Sequence, residues 1–259
     1  MRDFLGVGIF VLVTVFLMVF SSGCATTAPM TGRTQIMLIS PNDEQKMGED
    51  ASTQILKESK LSSDAKATKR VKEVGEKIAK AAQKSDFNWE FYLVEDKNIN
   101  AFCLPGGKVF VYTGLLDFVN NDAELALVVG HEAAHAIARH GAERMSMGAV
   151  TNMVQQIASS ALNVKPAYSQ AFDIAFGLSA NYGVILPYSR TQEYEADRIG
   201  LILMAKAGYD PRVAVDFWSR MAQKGGAKPP EFLSTHPSDQ NRIDSIKNIL
   251  PEALKYYKP

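Results

Sequence analysis

The chain has 259 residues, of which 46% are hydrophobic and 22% are charged. This composition is typical of a globular protein and excludes a disordered or low-complexity chain. The 28 basic and 28 acidic side chains give a formal net charge of zero. A balanced charge excludes a strongly basic surface, so we expect no nucleic acid partner. Two cysteines are too few to build a disulfide framework.

The N-terminal segment has the pattern of a secretion signal. The uncharged apolar run Phe4–Phe20 follows a short charged start and is followed by small residues and Cys24. A cysteine in this position resembles the bacterial lipobox, in which the thiol is acylated and the chain is cut before it, although Ser21 stands where an aliphatic residue is usual. We therefore predict a lipoprotein signal peptide over 1–23, lipidation at Cys24 and a flexible tether over 24–35. A transmembrane anchor and a cleaved soluble form are the alternatives.

Residues 36–259 are predicted to form one α+β domain. Two amphipathic helices are expected over Pro41–Ser59 and Asp64–Gln83. Short β-rich runs around Asn88–Val94, Ala101–Leu104 and Lys108–Tyr112 predict a small antiparallel sheet of about three strands. From Asp122 onward the pattern is helical, with helices expected over 122–140, 142–163, 168–182, 189–207, 211–222 and 239–249. A mostly helical chain with one short sheet indicates the α+β class.

The segment 145–186 is rich in methionine, alanine, isoleucine and phenylalanine. Polar residues interrupt it, so it contains no apolar run of the roughly 18 residues that a membrane span requires. We therefore predict a helix pair that belongs to the core or forms a lid.

The most informative motif is His131-Glu132-Ala133-Ala134-His135, which lies among helix-forming residues. Residues four apart lie on the same face of a helix, so the two histidines can provide two ligands to a tetrahedral zinc ion. Glu132 lies beside them and can accept a proton from the attacking water. Taken alone, the motif also fits two core histidines with ordinary hydrogen bonds. His140 lies about half a turn around the helix from His131, so it does not share the face of the two histidines. We predict that it makes a structural hydrogen bond or begins the next helix.

A third ligand is expected from a later helix. Glu193 and Asp197 are four residues apart and therefore share one face. We predict that Glu193 completes the ligands of one zinc ion per chain and that Asp197 hydrogen-bonds a zinc-binding histidine. The alternative is that the two acids pair only with Arg190 or Arg198. Glu195 projects from the opposite side and is expected at the surface.

Together these motifs resemble those of the gluzincin metallopeptidases related to the HtpX and CAAX-prenyl proteases. The single-domain, BepA-like envelope proteases are the most similar group. The resemblance covers about residues 36–250. It is carried by the histidine motif and by Ser189–Asp197, Asn100–Phe102, Pro105–Gly107, Val109–Leu115, Ser234–Pro237 and Arg242–Ile243.

The resemblance implies a zinc endopeptidase that cleaves unfolded or misassembled envelope proteins, with Glu132 as general base. It also implies a lipid-anchored location on the periplasmic side of the envelope, with the outer membrane favoured because Ala25 follows Cys24. The envelope assembly machinery is a candidate partner. The strand that carries Ala101, Phe102 and Cys103 is expected to pair with an extended substrate.

Two downstream residues are further catalytic candidates. His236 either donates a hydrogen bond to the oxyanion or occupies the fourth zinc position, and an ordinary loop hydrogen bond is the third interpretation. Arg242 is predicted to contact the oxyanion or a substrate carbonyl. A site closed by His236 leads to an alternative function, a zinc-binding chaperone or scaffold lipoprotein that binds unfolded proteins without cleaving them.

Overall fold

The computed structural model describes residues 25–162, 164–180, 186–224, 229–237 and 239–258. The predicted signal peptide and the predicted lipidation site Cys24 lie outside these residues. The chain divides into two units. Unit 1 comprises the residues up to Ser40 together with His140–Thr191, and unit 2 comprises Pro41–Arg139 and Gln192–Pro259. Among the described residues, no helix is both long enough and apolar enough to cross a membrane.

The α+β prediction is confirmed. In chain order the elements are β1 (Ala25–Thr27), β2 (Thr34–Ile36), α1 (Pro41–Glu58), α2 (Ala65–Ala82), β3 (Glu90–Val94), β4 (Ala101–Leu104), β5 (Lys108–Tyr112), α3 (Thr113–Phe118), α4 (Asp122–Ile137), α5 (His140–Ala161), α6 (Ser169–Ala180), α7 (Leu186–Lys206), α8 (Val213–Gln223), α9 (Glu231–Thr235) and α10 (Gln240–Ala253). The short helices α3 and α9 were not predicted, because neither is long enough to show a helical period.

The sheet of unit 2 has three strands in the order β3-β5-β4. Strand β4 is antiparallel to β5, but β3 is parallel to β5, so the sheet is mixed and the prediction of a purely antiparallel sheet is wrong. The tight turn at Gly106 and Gly107, both with positive φ, makes β4 and β5 antiparallel, and β3 pairs with the other edge of β5 in the parallel direction. Strand β5 is therefore central and mostly buried, whereas β4 lies at an edge.

Helix α4 lies at the centre of the unit 2 core. It begins at Asn121, whose side chain accepts a hydrogen bond from the backbone N–H of Glu124 at 3.0 Å and so caps the helix. Every residue from Glu124 to Ile137 is buried. Helix α4 packs against α2 and β4 and is enclosed in the core, which fixes the side chains that it carries.

The segment predicted as a flexible tether forms a hairpin in unit 1, so that prediction is wrong for residues 25–35. Strands β1 and β2 pair in antiparallel fashion. Arg33 donates two hydrogen bonds of 2.8 Å to the buried carboxylate of Glu143, and Gln35 donates a third at 3.1 Å. The backbone N–H of Leu38 donates to Ser146 Oγ at 2.9 Å. These bonds fasten the segment to the first two turns of α5.

Candidate metal centre

Two glycines allow the ligand-bearing helices to cross in direct backbone contact. A Cβ atom built on Gly130 of α4 would lie 3.0 Å from the carbonyl oxygen of Gly200 on α7. A Cβ atom built on Gly200 would lie 2.9 Å from the backbone nitrogen of His131. Both distances are shorter than ordinary contacts, so only glycine fits at this crossing. The close approach brings the acids of α7 beside the histidines of α4.

Four side chains converge with one donor atom each, and these atoms lie within 4.8 Å of one another: His131, His135, Glu193 and His236. Nε2 of His131 lies 3.1 Å from Nε2 of His135 and 3.2 Å from Nδ1 of His236. The Glu193 carboxylate oxygens approach the three ring nitrogens to 3.1–3.3 Å. Ligands of a tetrahedral zinc ion are about 3.4 Å apart, since each lies about 2.0–2.1 Å from the metal. The spacing and the imidazole–carboxylate chemistry therefore fit zinc.

Asp197 and Arg242 hold the ring of His131 in place. Asp197 Oδ1 lies 3.0 Å from Nδ1 of His131, so that nitrogen is occupied and Nε2 is left for the metal. Arg242 donates to both Asp197 oxygens, at 2.7 and 2.8 Å, and its guanidinium lies 3.8 Å from the centre of the Trp218 ring. A carboxylate on the second nitrogen of a ligand histidine fixes its tautomer and orientation.

Burial and neighbouring charges set the protonation of these groups. Burial raises the pKa of Asp197, but the charge and hydrogen bonds of Arg242 outweigh it, and the pKa lies below its ordinary value. Burial lowers the pKa of His135 well below its usual value, which keeps the ring neutral as a ligand must be. Burial also lowers the pKa of His131, but hydrogen bonds to Asp197 and Glu193 raise it, to about 9. Metal binding at His131 therefore releases a proton.

Glu132 lies beside the donor atoms and directs one carboxylate oxygen toward His236. Its Oε1 is buried and receives no hydrogen bond from the described residues. The same oxygen lies 3.4 Å from Nε2 of His236. Burial raises the pKa of Glu132, and the charges of His236 and His131 offset part of that rise. A buried carboxylate whose oxygen receives no hydrogen bond from the described residues can accept a proton from water at this position.

The structure places His236 with the ligands and Arg242 in contact with them, since Nη1 of Arg242 lies 3.1 Å from a Glu193 carboxylate oxygen. Nδ1 of His236 is a member of the donor group, which supports the fourth-ligand interpretation. Arg242 is only 2% exposed. Besides Asp197, it donates to the carbonyl oxygens of His236 and Pro237, at 3.2 and 3.1 Å. These contacts allow Arg242 to position Asp197 and the loop that carries His236. Its contact with the oxyanion or a substrate carbonyl stays a prediction.

The predicted substrate strand lies beside the site. Strand β4 packs against α4 and pairs with β5 on one side only among the described strands. The pKa of Cys103 is raised, first by burial and then by the charge of Glu132. The edge of β4 that carries Ala101, Phe102 and Cys103 is thus near the candidate general base. Its pairing with a peptide stays a prediction.

Two further site predictions have different outcomes. His140 begins α5, as predicted, and is not a member of the donor group. Glu195 is buried, so its predicted surface position is wrong. The reason is that α7 is enclosed on nearly every side between Gln192 and Gly200, and the face opposite Glu193 does not meet solvent.

The sequence did not predict the aromatic rings that lie beside the metal ligands. The ring of Trp218 lies 5.8 Å from that of His131 and stacks on Phe232 at 5.7 Å, measured between ring centres. The helical spacing of Trp218 marks it only as a core residue, so no sequence signal identified it. Gly130 did carry a signal, because a glycine inside a buried helix marks a close backbone approach.

The chain is similar to known peptidases. The model of peptidase family M48 matches residues 65–250. The mitochondrial metalloendopeptidase OMA1 of Schizosaccharomyces pombe is 36% identical over 230 residues, covering 87% of this chain and 66% of that protein. OMA1 of Homo sapiens is 34% identical over 266 residues, covering 97% and 50%. The beta-barrel assembly-enhancing protease of Escherichia coli is 26% identical over 229 residues, covering 86% and 47%.

The chain spans between about half and two thirds of the length of these relatives. The OMA1 endopeptidases match at higher identity than the assembly-enhancing protease, and both agree with the predicted gluzincin resemblance. The matched region includes both helices of the metal centre, α4 and α7, and the loop that carries His236. This chain therefore belongs to peptidase family M48, whose members are zinc metallopeptidases.

Proposed function

We propose that this chain is a zinc-dependent endopeptidase that cleaves unfolded or misassembled proteins of the cell envelope, with Glu132 as general base. This proposal is carried by the convergence of four metal-binding donors beside Glu132, whose buried Oε1 receives no hydrogen bond from the described residues. The OMA1 relatives are named metalloendopeptidases and the Escherichia coli relative is named a protease, which agrees with it.

Different residues of the chain have different roles in the proposed hydrolysis. His131, His135 and Glu193 would hold the zinc ion, with Asp197 and Arg242 orienting His131. When bound, zinc supplies a Lewis acid that polarises the scissile carbonyl and makes water more acidic. Glu132 Oε1 accepts the proton of the attacking water and returns it to the leaving amine. The open edge of β4 binds the substrate backbone in an extended form, which favours unfolded segments.

Replacement of Glu132 by Gln tests the general-base role. Glu132→Gln keeps all four donor atoms, so we expect one zinc ion per chain by metal analysis. Casein cleavage should fall by at least about 100-fold, because general-base catalysis contributes about that much or more. Glu124→Gln is the matched control. It removes a buried glutamate of the same helix that pairs with Arg220 outside the donor group, and it should keep both zinc and cleavage. Chelator-sensitive cleavage by Glu132→Gln would contradict the proposal.

The N-terminal pattern supports a location on the envelope. We propose that Cys24 is acylated and anchors the chain to a membrane on the periplasmic side, with the outer membrane favoured. The relatives named beta-barrel assembly-enhancing proteases agree with an envelope role and with the assembly machinery as partner, whereas the OMA1 relatives are named mitochondrial. Metabolic labelling with a palmitate analogue tests this location, since Cys24→Ser should abolish the label.

A second candidate function is favoured by the position of His236. Its Nδ1 lies 3.1 Å from Glu193 and 3.2 Å from Nε2 of His131, as a fourth ligand would. A chain held in this conformation is a zinc-binding chaperone or scaffold that does not cleave. If His236 blocks the site, His236→Ala should raise casein cleavage while one zinc ion is retained. If His236 instead supports the oxyanion, the same variant should cleave more slowly, and an unchanged rate would remove His236 from both roles.

A further inference from the structure

Unit 1 has more exposed large apolar side chains than its share of the described chain predicts. Twelve large apolar side chains are exposed among the described residues. Only Met47, Leu61, Leu254 and Tyr256 belong to unit 2, and the other eight belong to unit 1, which holds the smaller part of the described chain. Single exposed apolar residues need no explanation, but their concentration in one small unit marks an interaction surface.

The exposure is highest around the turn between α5 and α6. Leu162, Tyr168 and Ile174 are 65%, 66% and 58% exposed, which exceeds every other large apolar side chain described. The only charged residues between Ser146 and Ser189 are Lys165 and Asp173. Asp173 accepts a hydrogen bond from Gln155 of α5 at 2.7 Å, which ties the acid to the neighbouring helix.

The same unit begins at the predicted lipid anchor. Residue 25, the first of β1, directly follows Cys24, and the chain beyond β1 is fastened to α5 by the bonds from Arg33 and Leu38 to Glu143 and Ser146. An acyl group on Cys24 would therefore hold the start of α5 close to a bilayer. Helix α5 has 22 residues and is about 33 Å long, at about 1.5 Å per residue.

We propose that the α5–α6 hairpin is a second membrane contact, lying along the bilayer surface with Leu162, Tyr168 and Ile174 in the interfacial layer. This inference rests on the proposed anchor at Cys24. The anchor is at one end of α5 and the exposed turn is at the other, so both touch one bilayer only if α5 lies along its surface. A tyrosine and a lysine beside aliphatic residues suit the headgroup boundary, where the lysine amine reaches the polar region. No described helix could span the membrane, which agrees with an interfacial position.

Tryptophan fluorescence in vesicles tests this contact. The full chain would be reconstituted into vesicles of phosphatidylethanolamine and phosphatidylglycerol that contain lipids brominated near the headgroup end of the acyl chain. Leu162→Trp and Ile174→Trp place a reporter at the turn, and Tyr168→Trp does so by an aromatic-for-aromatic change. Leu61→Trp is the matched control, an exposed leucine of unit 2. Fluorescence of the unsubstituted chain, which has two tryptophans, is subtracted.

We expect bromolipid to remove about half or more of the added fluorescence at the three turn positions and none at Leu61→Trp, because interfacial side chains lie within reach of the bromines. Co-flotation with the vesicles and casein cleavage are measured on the same samples. A chain that floats and cleaves without quenching at the turn would overturn the inference while leaving the anchor and the peptidase proposals standing. Concentration-dependent crosslinking through the turn without quenching would also overturn it, since the surface would then contact a second copy.

Discussion

Gly200→Ala tests whether the glycine crossing of α4 and α7 sets the metal site. The added Cβ would lie 2.9 Å from His131 N and 3.0 Å from both Gly130 C and His131 Cα. All three atoms belong to the backbone, so no side chain can rotate away. Optimal separations between carbon atoms are about 3.5–4.0 Å, so the helices must part by roughly 0.5–1 Å. Glu193 and Asp197 would then move away from His131.

Gly200→Ala is expected to lower both the stability of the fold and the affinity for zinc. Overpacking of this kind lowers the free energy of unfolding by about 1–3 kcal/mol, measured by urea titration with chelator present. Displaced ligands and ligand partners should weaken zinc binding about 10- to 100-fold, measured by competition with a chromophoric chelator. Gly148→Ala on α5 is the control, because no atom lies within 4 Å of its added Cβ. It should stabilise the chain by up to about 1 kcal/mol and leave zinc affinity unchanged. If Gly200→Ala changed neither the stability nor the zinc affinity, the close crossing of α4 and α7 would not be what sets the geometry of the metal site.

Two further predictions concern buried polar groups. Arg242→Met removes the guanidinium that pairs with both oxygens of the buried Asp197 carboxylate, so the free energy of unfolding should fall by about 3–5 kcal/mol. Arg198→Met breaks an exposed pair with Glu252 and should cost less than about 1 kcal/mol. Equal losses in the two urea titrations would contradict the positioning role of Arg242. Burial raises the pKa of the Cys103 thiol, so iodoacetamide should modify it far more slowly in the folded chain than in urea at about pH 8. Equally fast alkylation in both states would show that the thiol is open to solvent.

The sequence predicted the ligands better than their surroundings. The spacing of His131, His135 and Glu193 identified three donors, because helical geometry alone decides which residues share a face. The sequence left the role of His236 open, since its position depends on a loop that Arg242 holds through two backbone carbonyls. These bonds depend on the conformation of the loop and leave no periodic pattern in the sequence.

The errors have related causes. Glu195 was placed at the surface because opposite faces of a helix usually differ in exposure, but α7 is enclosed by packing that its own pattern does not reveal. The 25–35 segment has the composition of a linker, and the buried Glu143 that orders it is more than a hundred residues away. The parallel pairing of β3 with β5 depends on strand order, which short strands do not encode locally.

If β4 pairs with a substrate as proposed, its four-residue length limits how firmly the peptide can be held by its backbone. Alternate residues of a strand turn their polar groups outward, so two residues of β4 can form up to about four hydrogen bonds with a peptide. At about 1 kcal/mol net for each bond, the total of about 4 kcal/mol corresponds to a dissociation constant near 1 mM. Binding of this strength is brief and does not depend on the side chains of the substrate. The rate of cleavage would therefore depend on how long a polypeptide segment stays unfolded. The enzyme would then select polypeptides that fold slowly rather than polypeptides with a particular sequence.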